Sequence, residues 1–468
     1  MVFSSLTFLL LFLPLLLALY FVSRNLRWRN AILLLFSLLF YAWGEPKWIL
    51  CMLGATLINY GVAFGIVRAR TAAAKRAFLA LGAAATLGAL FWFKYASFFL
   101  STVYSVFGVS AQVPAVRLPI GISFYTFQIL TYAVDVYRGK APVQKNPLRL
   151  LLYVSCFPQL IAGPIVQYAD IAEQLTDRTT TVWDFSEGIG RFSVGLAKKV
   201  LLANLCGKAV ETLLPQGVAL SAAGAWLSGL LYTFQIYFDF SAYSDMAIGL
   251  GRILGFTYRE NFRYPYVSAS VSEFWRRWHI SLGSFFRDYV YIPLGGNRKG
   301  AARTVRNLLI VWLLTGLWHG ASWNFVLWGL YYGVWVLLER FVLARVLDRI
   351  PKALRMAGTF LLAMTGWILF YHTSLADGWQ HLAALFGVGV AATDATVKTV
   401  LSDYTVLPLV AAVCCLPIVP TVRAWAEKRP ARQKTIRIAA PILETALFVL
   451  SLALLVGQSY NPFIYFRF

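Results

Sequence analysis

Apolar runs close to twenty residues long recur from one end of this chain to the other, beginning with SSLTFLLLFLPLLLALYFVS at residues 4–23. About 20 such residues in a helix cross the hydrocarbon core of a bilayer. Lipid offers a backbone no hydrogen bonds, so each crossing segment must satisfy its own amides and carbonyls, as a helix does. Further runs at 30–43, 48–67, 77–100, 118–137, 186–206, 223–250, 357–373, 400–420 and 438–458 follow. Composition agrees: 59% of the 468 residues are hydrophobic and 13% charged, where a soluble domain carries about a quarter charged. The fold class that follows is all-α, a polytopic membrane protein of about ten spans, with residues 1–468 forming a single membrane domain. The first run lacks the basic segment that opens a secretory signal, so it reads as a retained span.

The net charge is +22. In a membrane protein such an excess marks cytoplasmic loops, and it makes membrane lipid, not nucleic acid, the expected partner. Arg24, Arg27 and Arg29 follow the first span, Arg68, Arg70, Lys75 and Arg76 the third, and Arg138, Lys140, Lys145 and Arg149 the fifth. Arg423 to Arg437 hold six more cations after the ninth. These loops are placed in the cytoplasm and the N-terminus outside.

Two apolar segments do not fit as simple spans. Residues 151–168 (LLYVSCFPQLIAGPIVQY) contain Pro158, Gly163 and Pro164, which break helix geometry. Residues 307–338 have basic residues on both flanks and are too few for two crossings and a turn. A re-entrant pair of short helices turning near Gly316–Ser322 fits them. Irregular backbone at that depth must be buried in protein or line a cavity, so a central cavity is expected.

The chain has only four histidines. His319 lies 13 residues past Arg306, roughly 20 Å of helical path, near the apex of the re-entrant segment. Ionisable groups at such depth are costly and face interior cavities. Gly316 and Gly320 flank it at a spacing that admits close helix approach, and Trp318, Trp323 and Trp328 would line or seal the site. The plain alternative is a structural histidine bonded to a carbonyl. His279 sits in EFWRRWHISLGSFFRDYV, 273–290, which reads as one amphipathic helix with His279 on the apolar face and Arg276 and Arg277 on the other. Here the alternative is a core-packed or interfacial imidazole. His372 and His381 are assigned no role.

Residues 252–306 hold ten Lys/Arg against three acids, a cytoplasmic or interfacial basic region suited to a phosphate-bearing donor such as acyl-coenzyme A. Anionic lipid contact would explain it as well. The span at 232–251 carries Gln235, Asp239, Ser241, Ser244 and Asp245; such clusters serve as substrate paths or as glue between helices. The five cysteines lack metal-ligand spacing and read as buried apolar residues, so no metal is expected. No GxSxG elbow, HExxH or P-loop is present, which leaves serine hydrolase, zinc protease and P-loop motor unsupported. A buried imidazole between a basic cytoplasmic mouth and the outside suits acyl transfer to a hydroxyl, with His319 as general base. Trp318, Asn324 and backbone amides near Gly320 are candidate oxyanion donors.

The ordered set of LPIGISFYTFQ (118–128), DVYRG (135–139), FPQLIAGPI (157–165), YFDFSAYSDMAIGLG (237–251), ENF (260–262), EFWRRWHISLGSFFRDYVYIPLGGNRKG (273–300) and GLWHGASWNFVLWG (316–329) resembles the membrane-bound O-acyltransferases, in particular the bacterial branch that acetylates alginate. The resemblance covers nearly the whole chain. It implies a multi-pass bacterial inner-membrane protein whose helices surround a funnel, with His319 matching the family's membrane histidine and His279 its second functional histidine. It implies cytoplasmic acetyl-CoA or a related thioester as donor substrate, with no bound cofactor. The implied acceptor is an exported envelope polysaccharide, reached directly or through a periplasmic acetyltransferase partner. Relatives in the family acetylate cellulose or peptidoglycan, and a more distant branch moves D-alanine to teichoic acid. The chain ends soon after its last span, at SYNPFIYFRF, which favours a separate partner over a fused outer domain. Two competing readings remain: a polymer or lipid conduit using Asp239 and Asp245, and a scaffold that has no need of His319.

Overall fold

The computed structural model describes residues 1–114, 116–161, 163–214, 220–457, 460 and 463–464. Among the described residues all regular structure is helical, with no strand. The chain packs as two compact units, Met1–Phe192 with Met246–Arg259, and Ser193–Asp245 with Glu260–Phe468.

The first unit holds α1 (Leu13–Phe21), α2 (Leu26–Gly44), α3 (Ile49–Arg68), α4 (Ala72–Leu90), α5 (Ala96–Phe107), α6 (Ile122–Tyr137), α7 (Pro147–Ser155), α8 (Phe157–Leu160), α9 (Tyr168–Ile171) and most of α10 (Val182–Ala197). Polar side chains start the helices where orphan amides need acceptors. Asn25 accepts from Arg27 N, Thr71 from Ala74 N, and Asn146 from Leu148 N, with Pro147 in the first turn where no donor is lost. Phe3, Phe8, Phe12, Phe40 and Phe157 pack ring against ring in its core. The 151–168 segment is broken as its prolines demand: α7 stops at Ser155 and α8 is a single turn. A Cβ on Gly163 would lie 2.6 Å from Pro158 O, so only glycine fits there.

The second unit continues α10 through a π-helical turn, Lys198–Ala203, into α11 (Asn204–Leu213), and then α12 (Ala222–Ile253). After α12 come α13 (Val271–Arg277), α14 (Ile280–Phe286), α15 (Ala301–His319), α16 (Trp323–Leu338), α17 (Ala344–Leu347), α18 (Lys352–Tyr371), α19 (Leu375–Leu385), α20 (Ala395–Asp403), α21 (Leu407–Cys414), α22 (Ile418–Glu427) and α23 (Pro430–Gly457). The sequence predicts one helix over 273–290. The structure instead breaks it at Trp278 and His279, whose backbone is extended and left-handed respectively. Periodicity survives on both sides of the break, which is why the pattern did not reveal it.

Among the described residues five helices are long and apolar enough to cross a membrane: Ile49–Arg68, Ala72–Phe107, Trp323–Leu347, Lys352–Tyr371 and Pro430–Gly457. The protein is a multi-pass membrane protein. The expected span at 400–420 is bent by 63° between α20 and α21, which would make a sixth if counted as one; Pro408 in the first turn of α21 marks the restart. The remaining expected spans are shorter, interrupted or more polar helices.

The re-entrant segment is also corrected. Its turn, Gly320–Ser322, falls inside the expected window, but its arms are not short. α15 runs 19 residues, and α16 continues through a π-helical turn (Glu339–Leu343) and α17, making 25 residues in all. Arg303, Arg306, Glu339, Arg340 and Arg345 bound the apolar run without ending the helices. The arms touch backbone to backbone: a Cβ on Gly316 would stand 2.2 Å from Phe325 O, and one on Gly329 2.3 Å from Trp312 O. Small residues at that spacing are what permit so close an approach.

Candidate functional site

His319 is the last residue of α15, at the turn between the packed arms, and is 6% exposed. Its imidazole is enclosed by aromatic rings: Trp318 at 4.9 Å, Trp328 at 4.9 Å and Phe370 at 5.3 Å, all edge-on. It borders a cavity lined also by Asp239, Phe240, Trp278, Trp367 and Phe370, with Phe463 and Ile464 from the C-terminal segment on its wall. The cavity volume is about 20 Å³, room for one water and too little for an acetyl group without displacement of a wall residue.

The carboxylate in that wall is paired on both oxygens. Asp239 Oδ1 accepts from Lys199 Nζ at 2.5 Å, and Oδ2 accepts the Ile464 N–H at 2.8 Å. Lys199 Nζ also lies 5.7 Å from the centre of the Phe463 ring. Six residues further along α12, Asp245 pairs with Lys198 at 2.6 Å. The two adjacent lysines sit in the π-helical turn that follows α10. Sequence reasoning found Asp239 and Asp245 but missed their partners. The signal was there: KK at 198–199 stands inside an apolar run, where a lone cation is as costly as a lone carboxylate.

His279 is 1% exposed and has φ 45°, unusual for a side-chain-bearing residue. It lies in the non-spanning link between α13 and α14. Its Nδ1 is 3.2 Å from Asn261 Oδ1, and its ring stands edge-on to Phe240 at 4.7 Å. Burial pushes its pKa down to about 3, because a charged imidazole would lose its hydration there. Trp318 links the two sites: its ring centroid is 5.7 Å from that of His279 and 4.9 Å from that of His319.

The other predicted residues are distributed differently. Asn324 is buried in the first turn of α16 and donates from Nδ2 to His372 O at 2.7 Å, which ties the turn after His319 to the end of α18. Trp318 and Trp328 are buried against His319 and Trp323 is half exposed; none of the three lines the cavity, whose indoles are Trp278 and Trp367. Arg276 is exposed. Arg277 is engaged by Glu273 at 2.7 Å and by Arg263 O at 3.2 Å. Several cations of the basic region are likewise already paired: Arg252 with Asp184, Arg259 with Asp170, and Arg287 with Asp288. Among the cysteines, Cys156, Cys206 and Cys415 are buried, but Cys414 is exposed, contrary to expectation. The last two histidines form a fixed ladder. His381 Nε2 donates to Ala225 O at 3.1 Å, so its Nδ1 accepts from His372 Nε2 at 3.0 Å.

What the cavity offers is a buried imidazole, indole rings and a neutralised carboxylate. Such a site can take a proton from a hydroxyl while keeping water away from a reactive acyl group. Comparison with known proteins defines the class. Residues 140–376, which contain both His279 and His319, match the model described as MBOAT, membrane-bound O-acyltransferase family. The chain belongs to the membrane-bound O-acyltransferase family and is an acyltransferase. It is similar along its whole length to the protein named probable alginate O-acetylase AlgI of Pseudomonas putida, 41% identical over 100% of both chains. The protein of the same name from Pseudomonas aeruginosa is 45% identical over 83% of this chain and 75% of that one. The peptidoglycan O-acetyltransferase of Helicobacter pylori is 34% identical over 83% of this chain and 80% of that one.

Proposed function

We propose that this acyltransferase works in the bacterial inner membrane and moves an acetyl group from a cytoplasmic thioester, acetyl-CoA or a close analogue, toward hydroxyls of an exported polysaccharide. Alginate is the acceptor the relatives favour; peptidoglycan is the alternative, supported by the lower identity of that relative. The observation that carries the reading is His319 at a buried helix turn, bordering a small, mostly apolar cavity. The acceptor oxygen attacks the thioester carbonyl while His319 takes its proton. The new C–O bond forms as the C–S bond breaks, and the thiolate leaves with that proton as a thiol. The Trp318 indole beside His319 is the candidate donor to the oxyanion; the Gly320 N–H is already given to Gly316 O, and Asn324 holds the turn through His372. Arg276 is exposed and suits a donor phosphate, whereas Arg277 is committed to Glu273. Asp239 and Asp245, each with its lysine, supply polarity without net charge along α12. A periplasmic acetyltransferase receives the group where the polymer is not acetylated directly.

The test is transfer from labelled acetyl-CoA in proteoliposomes, comparing wild type with His319→Ala. Alginate and peptidoglycan fragments are offered alone and with periplasmic acetyltransferase proteins. Loss of transfer in a folded variant is expected. Transfer that survives in His319→Ala refutes the general-base role and returns the conduit and scaffold readings.

A further inference from the structure

We propose that Asn261 is a positioning residue that fixes His279 in one tautomer, with the proton on Nδ1 and a bare lone pair on Nε2 beside the reaction cavity. Asn261 is fully buried and stands in the ENF stretch between α12 and α13. Its Oδ1 lies 3.2 Å from Ser281 N, 2.9 Å from Ser281 Oγ and 3.2 Å from His279 Nδ1. Its Nδ2 donates to Ser244 Oγ at 3.0 Å, and its backbone carbonyl accepts the Ile280 N–H at 2.9 Å.

The tautomer follows without any choice of amide orientation. A backbone N–H can only donate, so the carboxamide atom facing Ser281 N is the oxygen. That same oxygen faces His279 Nδ1, and two acceptors would repel at 3.2 Å; the Ser281 hydroxyl, 3.4 Å from Nδ1, gives its proton to the nearer Asn261 Oδ1 at 2.9 Å. Nδ1 therefore carries the proton, and in a neutral ring Nε2 carries none. Nε2 is buried and has no hydrogen-bond partner among the described residues. Buried polar atoms in that condition are few in native proteins and cluster where a ligand supplies the missing partner. The ring's neighbours point to the same place: Phe240, which it meets edge-on, lines the cavity of His319, and Trp318 touches both imidazoles. The left-handed backbone of His279 is held by the same residue, through Ile280 N and Ser281 N. Strain of this kind persists only where the surroundings over-determine it.

On the acyl-transfer reading, on which this role rests, the bare Nε2 accepts a hydrogen bond from a neighbouring hydroxyl of the acceptor and so aims the attacking oxygen, while His319 takes the proton of the attacking hydroxyl. The opposite tautomer would present an N–H and could not do so.

Nitrogen-15 NMR of histidine-labelled full-length protein in nanodiscs tests this directly, since the chain has only four histidines and His279→Gln identifies the relevant signals. The wild type is expected to show a protonated Nδ1 and an unprotonated Nε2 at His279. Asn261→Asp keeps an acceptor at the same atom and should retain both the pattern and the transfer activity. Asn261→Leu should mix the tautomers and lower kcat by about 10- to 100-fold. A protonated Nε2 in the wild type overturns the proposal, whatever the variants do, as does a folded Asn261→Leu with wild-type kcat. If Asn261→Leu does not fold, the wild-type spectrum and Asn261→Asp decide. Failure of the acyl-transfer reading is separate: it would abolish the activity comparison and leave the nitrogen shifts intact.

Discussion

Replacing Lys199 by Met should destabilise the protein far more than replacing Lys199 and Asp239 together. Lys199 Nζ and Asp239 Oδ1 are 2.5 Å apart, and the two side chains are 2% and 3% exposed. At an effective dielectric of 20 their attraction is roughly 7 kcal/mol. Each ion has also given up nearly all its hydration, at several kcal/mol apiece, so attraction and desolvation come close to cancelling. The pair therefore adds little net stability, and the imbalance shows only when one member is removed. Lys199→Met keeps the length of the side chain but leaves a buried carboxylate with the Ile464 N–H as its remaining described donor. The expected cost is about 3–5 kcal/mol.

The double variant Lys199→Met/Asp239→Leu removes both charges and should recover most of that loss. The assay is the thermal midpoint of the full-length protein in nanodiscs for wild type, both single variants and the double, read as a double-mutant cycle. A Lys199→Met midpoint equal to wild type would refute the reasoning. So would a double variant as damaged as the two single ones added together.

Other consequences follow from the same geometry. Gly316→Ala or Gly329→Ala places a methyl within 2.3 Å of a facing carbonyl; the arms of the turn must part, and transfer by a variant that still inserts should fall at least about tenfold, at a cost on the order of 1–3 kcal/mol. Glu339 accepts from the N–H groups of Val271 and Ser272 at the start of α13, so Glu339→Ala should lower the thermal midpoint by the loss of a cap, about 1–2 kcal/mol. His279 is neutral in the fold with its pKa lowered from 6.5 to about 3. Between those values the unfolded chain binds a proton that the folded one does not, so stability is fully present above pH 6.5 and declines as pH falls toward 3. Midpoints at pH 7.5 and pH 5 should differ less in His279→Gln than in wild type.

His319 and the turn beside it were legible in the sequence because burial and small-residue spacing are local signals: a histidine and two glycines in an apolar run leave few alternatives. The 273–290 helix was misread for the opposite reason. Its apolar positions keep a 3.6-residue period across Trp278 and His279, and what breaks it is Asn261, 18 positions before His279, which takes the Ile280 N–H and the imidazole for itself. The Lys199–Asp239 pair is likewise separated by 40 positions, and nothing in either segment alone reports the register that joins them. The arms at α15 and α16 run past the 307–338 window that the flanking cations Arg306 and Arg340 suggest, because a charged side chain ends an apolar stretch and leaves the backbone hydrogen bonds untouched.

The charges are sorted in a way that bears on the donor. Among the described residues, the ionisable ones lining the cavity are His319 and Asp239, and Lys199 neutralises the latter. With its carboxylate neutralised, the interior suits a hydroxyl and a thioester carbonyl. A CoA donor also carries phosphates, and these cannot follow it inside. Arg276, Arg298, Lys299 and Arg303 are exposed and cationic, as such a contact requires. Exposed pairs are worth roughly 0.2–1 kcal/mol each, so neutralising Arg298, Lys299 and Arg303 together should raise KM for acetyl-CoA by about 3- to 100-fold. Because these contacts are the same in the ground state and the transition state, kcat should hold. Acetyl-pantetheine, which has no phosphates, should show the high KM in wild type and no further loss in the triple variant. A fall in kcat equal to the fall in kcat/KM would place these cations in the transition state and refute the separation of a neutral reaction cavity from a charged donor mouth.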